Sequence, residues 1–180
     1  MAHERILPET AENQPPVLMT VCFLKKEGKI LLGKKTKKIG VGKWNGCGGK
    51  QEEKDYDLED TAVRETGEEI NVHIEKESLK KVAVMNYHNE QQDGTFKHAQ
   101  VHFYIVSSWH GDPTDTDEIE NLTWFDDSNL PFDDMLPSDR LLLPLILKGK
   151  FVLGDVWHDK NWHTIPGKVS LREVEQSELP

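Results

Sequence analysis

The stretch from Gly48 to Val72, GGKQEEKDYDLEDTAVRETGEEINV, constrains this chain more than any other. A glycine pair leads into an acidic loop, and the loop leads into a segment carrying Arg64, Glu65, Glu68 and Glu69. Leu58, Ala62, Val63, Thr66 and Ile70 recur at three- and four-residue steps, the period of an amphipathic helix. Asp57 supplies its N-cap, and Gly67 weakens it by roughly 1 kcal/mol relative to alanine. Glu69 falls inside the edge of the apolar arc, Glu65 beside it and Glu68 a step further round. At i, i+3 and i+4 these carboxylates share a face and repel by roughly a few tenths of a kcal/mol per pair. Such a face calls for a cation, and clustered oxygen ligands suit Mg²⁺ or Mn²⁺. A solvated acidic face is the competing reading. The glycine pair, the Arg-Glu step and the half-buried place of Glu69 weigh against it.

The rest of the chain reads as strands with one further helix. Val17–Leu24 is an apolar strand, Glu27-Gly28 a tight turn and Lys29–Gly33 its return partner. A glycine-containing loop covers 34–43, and WNGCGG over Trp44–Gly49 is a short strand or turn. Leu79–His88 and Lys97–Val106 flank an Asp93-Gly94 turn, and Asn121–Phe125 is another short strand. Ser138 is expected to cap a helix that runs through Leu147, kinks at Pro144 and closes at Gly149. Phe151–Trp157 and His163–Glu173 form a last hairpin. Without a regular βαβ alternation, the class is α+β with a mixed sheet.

At 180 residues and 20.6 kDa, the chain is long enough for one domain with a substantial core. Residues 1–16 read as a polar, proline-containing tail, and 17–180 as a single domain. No apolar run reaches membrane-spanning length. With Cys22 and Cys47 the only cysteines, a disulfide framework is not expected and a reducing, cytoplasmic compartment is. Cys47 has no base partner nearby in sequence, so it reads as a strand-filling thiol rather than a nucleophile. Net charge −10 argues against a nucleic-acid polymer as partner. Yet between Lys25 and Lys50 nine lysines stand against the single acid Glu27. A basic patch beside an acidic, metal-suited helix fits a small polyphosphate. An exposed lysine-rich hairpin is the simpler alternative for most of these lysines taken singly.

The 48–72 stretch resembles the Nudix box: Arg64, Glu65, Glu68, Glu69 and Val72 match in register. Three places depart. Asp55 occupies a glutamate slot, after which Arg64 comes one residue late, as though Tyr56 were inserted. Thr66 stands at an aliphatic position. Asn71 replaces the second glycine, a mild change because asparagine tolerates the left-handed conformation. WNGCGGK, Pro131-Phe132, Asp134-Met135, Pro137 and Leu171–Val174 extend the likeness to the MutT-homologue type of Nudix enzyme, the oxidised purine nucleoside triphosphate diphosphatases.

That resemblance implies an α/β/α sandwich around a mixed sheet, and Mg²⁺-dependent hydrolysis of a nucleoside triphosphate to monophosphate and pyrophosphate. It implies that Glu65, Glu68 and Glu69 hold the metal, that Glu69 also activates water, and that Arg64 belongs to the catalytic set. Gly48 would add its carbonyl, and Glu118 the remote acid, with Glu120 a rival for that place. Thr20, Lys35, Asn45, Cys47, Gly49, Lys50, Leu136, Ser138 and Asp139 would line the substrate site. Ser138 replaces one of two base-reading aspartates and Leu136 a tryptophan, which implies a smaller margin for the oxidised base over the ordinary one. No membrane partner is implied, and a monomer is expected. Two other readings stand beside this one: a Nudix hydrolase for another nucleoside diphosphate derivative, and a Nudix-fold binding module without turnover.

Overall fold

A computed structural model describes residues 15–180, so the expectation for residues 1–14 lies outside the described residues. The elements in order are β1 (Val17–Lys26), β2 (Lys29–Lys35), β3 (Trp44–Asn45), α1 (Leu58–Ile70), β4 (Leu79–Glu90), β5 (Phe96–Val106), β6 (Ile119–Asp126), α2 (Asp139–Leu147), β7 (Phe151–His158) and β8 (Thr164–Val174). The sheet order is β3-β2-β1-β5-β4-β7-β8, with β6 paired to β2. β1/β5 and β4/β7 are parallel and the other pairs antiparallel, so the sheet is mixed as expected.

Strand alternation sorts the apolar residues into two cores. On one face Phe23, Val101 and Phe103 pack with Val152, Val156 and the α2 residues Leu142, Leu143 and Ile146. On the other, Cys22, Leu24, Tyr104 and Val106 pack with Ala62 and Ile70 of α1. The result is a helix, sheet, helix sandwich. Among the described residues no helix is long and apolar enough to cross a membrane.

One irregularity builds the site. β1 and β2 pair only beside their turn, Lys25 with Ile30 and Lys26 with Lys29, and then diverge. The 44–50 segment enters the gap between them. It pairs with β2 at Gly33–Asn45 and Lys34–Trp44, and with β1 at Cys22–Cys47 and Met19–Lys50. A β-carbon added at Gly48 would lie 1.9 Å from the Thr20 carbonyl oxygen, and one at Gly46 would lie 2.4 Å from that of Cys22. These glycines are therefore required by the backbone of β1 itself, and not only by a ligand as the sequence suggested.

α1 starts and stops as its sequence predicts. Asp57 accepts from the Asp60 amide at 2.8 Å, and Asn71 ends the helix at φ 59°, its amide donating to Gly67. Ser138 departs from expectation. Its backbone is helical (φ −68°, ψ −23°), so its hydroxyl makes no cap bond. That hydroxyl instead lies 3.4 Å from the Tyr87 hydroxyl.

Gly48→Ala should destabilise the fold by several kcal/mol, roughly the cost of overpacking against backbone. Gly94→Ala, in open space at φ +82°, should cost about 1 kcal/mol. Denaturant midpoints of the two variants check this contrast.

Candidate active site

Arg64 ties the helix to the wedged loop. Its Nε and Nη2 grip Asp55 at 2.9 and 2.8 Å, and Nη2 also donates to the Lys50 carbonyl at 3.1 Å. Nη1 reaches Glu65 at 2.8 Å and Glu68 at 3.1 Å. Asp55 further accepts from the Glu52 amide and the Thr61 hydroxyl. These donors hold its carboxyl well below the usual carboxylate range, the Arg64 bonds foremost. Tyr56, the residue in excess of the Nudix spacing, is 92% exposed. The insertion bulges into solvent and leaves the Asp55–Arg64 pair intact.

Behind this brace lie two buried carboxylates, Glu65 and Glu69. Glu69 accepts from the Lys35 ammonium and, at 2.8 Å, from the Gly48 amide. Burial raises the pKa of Glu69, opposed by the Lys35 charge and reinforced by Glu65. The Cys47 and Gly49 carbonyls both pair with β1, so strand alternation turns the N–H and C=O of Gly48 toward Glu69. Glu65 presses on the loop so closely that a Gly49 β-carbon would lie 2.4 Å from its Oε1.

A cavity of about 490 Å³ opens beside Glu65. Thr20, Lys35, Lys38, Lys50, Asn45, Gly46, Gly48 and Gly49 line it near Glu65; Leu136, Asp139, Tyr87, Asn89, His158 and Trp162 line it further along the sheet. Lys38 joins the basic wall while donating to Glu118 at 3.0 Å. Asp139 is buried with one backbone donor, Leu136 N at 3.2 Å, and burial pushes its pKa up to about 7.

The sequence-derived candidates thus separate. Thr20, Lys35, Asn45, Gly48, Gly49, Lys50, Leu136 and Asp139 line the cavity together with Glu65. Cys47 does not; it sits in the α1-side core, where burial and the Glu69 charge push its thiol well up. Ser138 lies under Tyr87, and Glu68 is turned to solvent toward Arg64 and Lys54. Of the two remote acids, Glu118 stands on the lysine side of the site, whereas Glu120 is exposed opposite Lys34. Among the described residues no three acidic, histidine or cysteine side chains converge on one point as a ready metal cage. What does fit a hard divalent cation is the oxygen set of Glu65, Glu69 and the Gly48 carbonyl, with Lys35 already supplying positive charge at Glu69. Tyr87, Asn89, His158 and Trp162 carry no motif that singles them out; they meet only when β4, β7 and the β7–β8 loop are assembled.

A family model for the NUDIX domain matches residues 14–146. The chain belongs to the Nudix family. An oxidized purine nucleoside triphosphate hydrolase from Danio rerio is 33% identical over 158 residues, 88% of this chain and 96% of that protein. The Mus musculus protein of the same name matches at the same identity and coverage. Among solved structures, a MutT protein from Bacillus halodurans superposes with TM-score 0.71 at 16% identity, over 87% of this chain and 97% of that one. A MutT NUDIX hydrolase from Burkholderia pseudomallei gives 0.62 at 25% identity, over 73% and 98%. The Nudix fold, read here as α+β, is shared with these structures, and divalent-metal dependence is general in the family.

The raised Asp139 pKa carries a stability consequence. Folded Asp139 keeps its proton up to about pH 7, whereas the unfolded group loses it near 3.8. Its contribution therefore declines as pH rises through that window, by a few kcal/mol on the order of 1.4 per pKa unit. Asp139→Asn should remove this decline. Relative to wild type, the variant should gain stability between pH 5 and pH 8 in paired denaturation curves.

Proposed function

We propose that this Nudix hydrolase cleaves oxidised purine nucleoside triphosphates to the monophosphate and pyrophosphate, clearing them from the nucleotide pool. The observation that carries the reading is one cavity with the buried carboxylate Glu65 and three lysines at one end, Glu69 held behind it by Lys35 and Gly48, and Asp139 further along. Its volume of about 490 Å³ is that of a small-molecule site. The relatives at 33% identity, named oxidized purine nucleoside triphosphate hydrolases, point to the same substrate class.

Lys35, Lys38 and Lys50 neutralise phosphate oxygens, which is most of what phosphoryl transfer asks of a protein. Mg²⁺, or Mn²⁺, held by Glu65, Glu69 and the Gly48 carbonyl, would lower the pKa of bound water and offset charge on the triphosphate. Glu69, kept basic by burial, takes the proton as water attacks phosphorus and the phosphoanhydride oxygen leaves with pyrophosphate. Arg64 holds Glu65 in place rather than meeting the substrate. Asn45 and Asp139 present polar groups to the base, with Leu136 as apolar wall. A single free-standing chain in a reducing, cytoplasmic compartment belongs to the same reading, both cysteines being free thiols.

Pyrophosphate release from 8-oxo-dGTP, 2-oxo-dATP, dGTP, dATP and nucleoside diphosphate derivatives tests it. The oxidised triphosphates should give the highest kcat/KM in Mg²⁺, and a diphosphate derivative in first place would overturn the assignment. Glu69→Gln should stay folded and lose turnover by about 10²-fold or more. Steady-state kinetics beside thermal melting separates that loss from unfolding.

A further inference from the structure

The cavity wall holds a polar pair that the chemistry above does not use. His158 ends β7, is 3% exposed and lines the cavity beside Tyr87, Asn89 and Trp162. Parallel pairing sets it opposite Asn89 of β4, and its Nδ1 lies 2.9 Å from Asn89 Oδ1. An amide oxygen only accepts, so Nδ1 carries the proton and Nε2 keeps a lone pair. Tyr87 stacks on the ring at 5.8 Å and 17°, and Trp162 meets it at 6.0 Å and 48°, which limits rotation. Burial keeps the imidazole neutral by lowering its pKa, with the Asp159 charge opposing. Nε2 is buried and, among the described residues, meets no hydrogen-bond partner. An acceptor left so keeps the full cost of its lost hydration, and an unmet one at a ligand cavity calls for a donor from the ligand.

We infer that His158 Nε2 accepts a hydrogen bond from an N–H of the substrate base, with Asn89 fixing the ring tautomer. The inference rests on the reading of that substrate as a purine nucleotide, and it names the group recognised. A purine oxidised to a C8 carbonyl carries hydrogen on N7, whereas an ordinary purine has a lone pair there. Against a fixed acceptor the first forms a hydrogen bond, and the second sets lone pair against lone pair. His158 thus discriminates at the atom that oxidation changes. It adds a reader of the base where Leu136 and Ser138 offer neither an indole nor a carboxylate. A site built around one such polar contact separates substrates well, because the wrong partner leaves buried atoms unpaired.

His158→Phe keeps an aromatic ring against Tyr87 and removes the acceptor. The ratio of kcat/KM for 8-oxo-dGTP over dGTP should fall about tenfold or more, through loss on the oxidised nucleotide. His158→Gln, which restores an amide oxygen, should recover part of the ratio, and a melting curve confirms folding of each variant. The N7-methylated 8-oxo triphosphate should be a poorer substrate for wild type and show no further loss in His158→Phe. Calorimetric binding of 8-oxo-dGMP and dGMP without metal separates this inference from the assigned reaction. If wild type hydrolysed no purine triphosphate, that reaction would fall, and binding would still decide the role of His158. A preference for 8-oxo-dGMP that His158→Phe abolishes supports it; equal preference in the two proteins overturns it.

Discussion

The Arg64 guanidinium is the interaction on which the rest of the site depends. Five of its contacts converge from separate places: two on Asp55, one on the Lys50 carbonyl, one each on Glu65 and Glu68. A planar fork with donors in fixed directions is what makes such a junction rigid; a lysine in its place would hold one contact as a point charge. Through it the 48–57 loop and α1 behave as one body. The crowding of Glu65 and Glu68 that a bare helix would suffer is answered at the same atom.

Glu69 shows the other side of that economy. It and Lys35 are both buried, and a buried ion pair recovers its desolvation cost only with good geometry and further hydrogen bonds. The Gly48 amide provides one. Stability alone does not explain keeping this pair, since apolar residues of similar size would do as well. A carboxylate held dry, charged and beside a lysine is suited instead to phosphate chemistry. The wedge of 44–50 between β1 and β2 gives that carboxylate its backbone donor, and it exists because Gly46 and Gly48 let three strands' backbones meet.

Much of this was legible in the chain. Asp57 and Asn71 marked the ends of α1. Spacing along α1 singled out Glu65 and Glu69, and the resemblance to Nudix enzymes implied Lys35 and Gly48. The Tyr56 insertion looked like a break in the motif, yet an exposed bulge absorbs it. The resemblance put Cys47 in the substrate site; a one-residue step along the extended segment turns it instead to the opposite face, where it fills the core as its own residue type suggested.

Local interactions account for what the sequence by itself determined. Caps, helix periodicity and strand alternation act over a few residues, so their pattern is written in order along the chain. The far wall of the cavity was decided by tertiary structure alone. Tyr87, Asn89, His158 and Trp162 come from two strands and a loop, and only the parallel β4–β7 pairing brings them together. The raised pKa of Asp139 and the bare Nε2 of His158 have the same origin. Both arise from loss of water, and burial depends on what the rest of the chain packs around a residue, not on its neighbours in sequence.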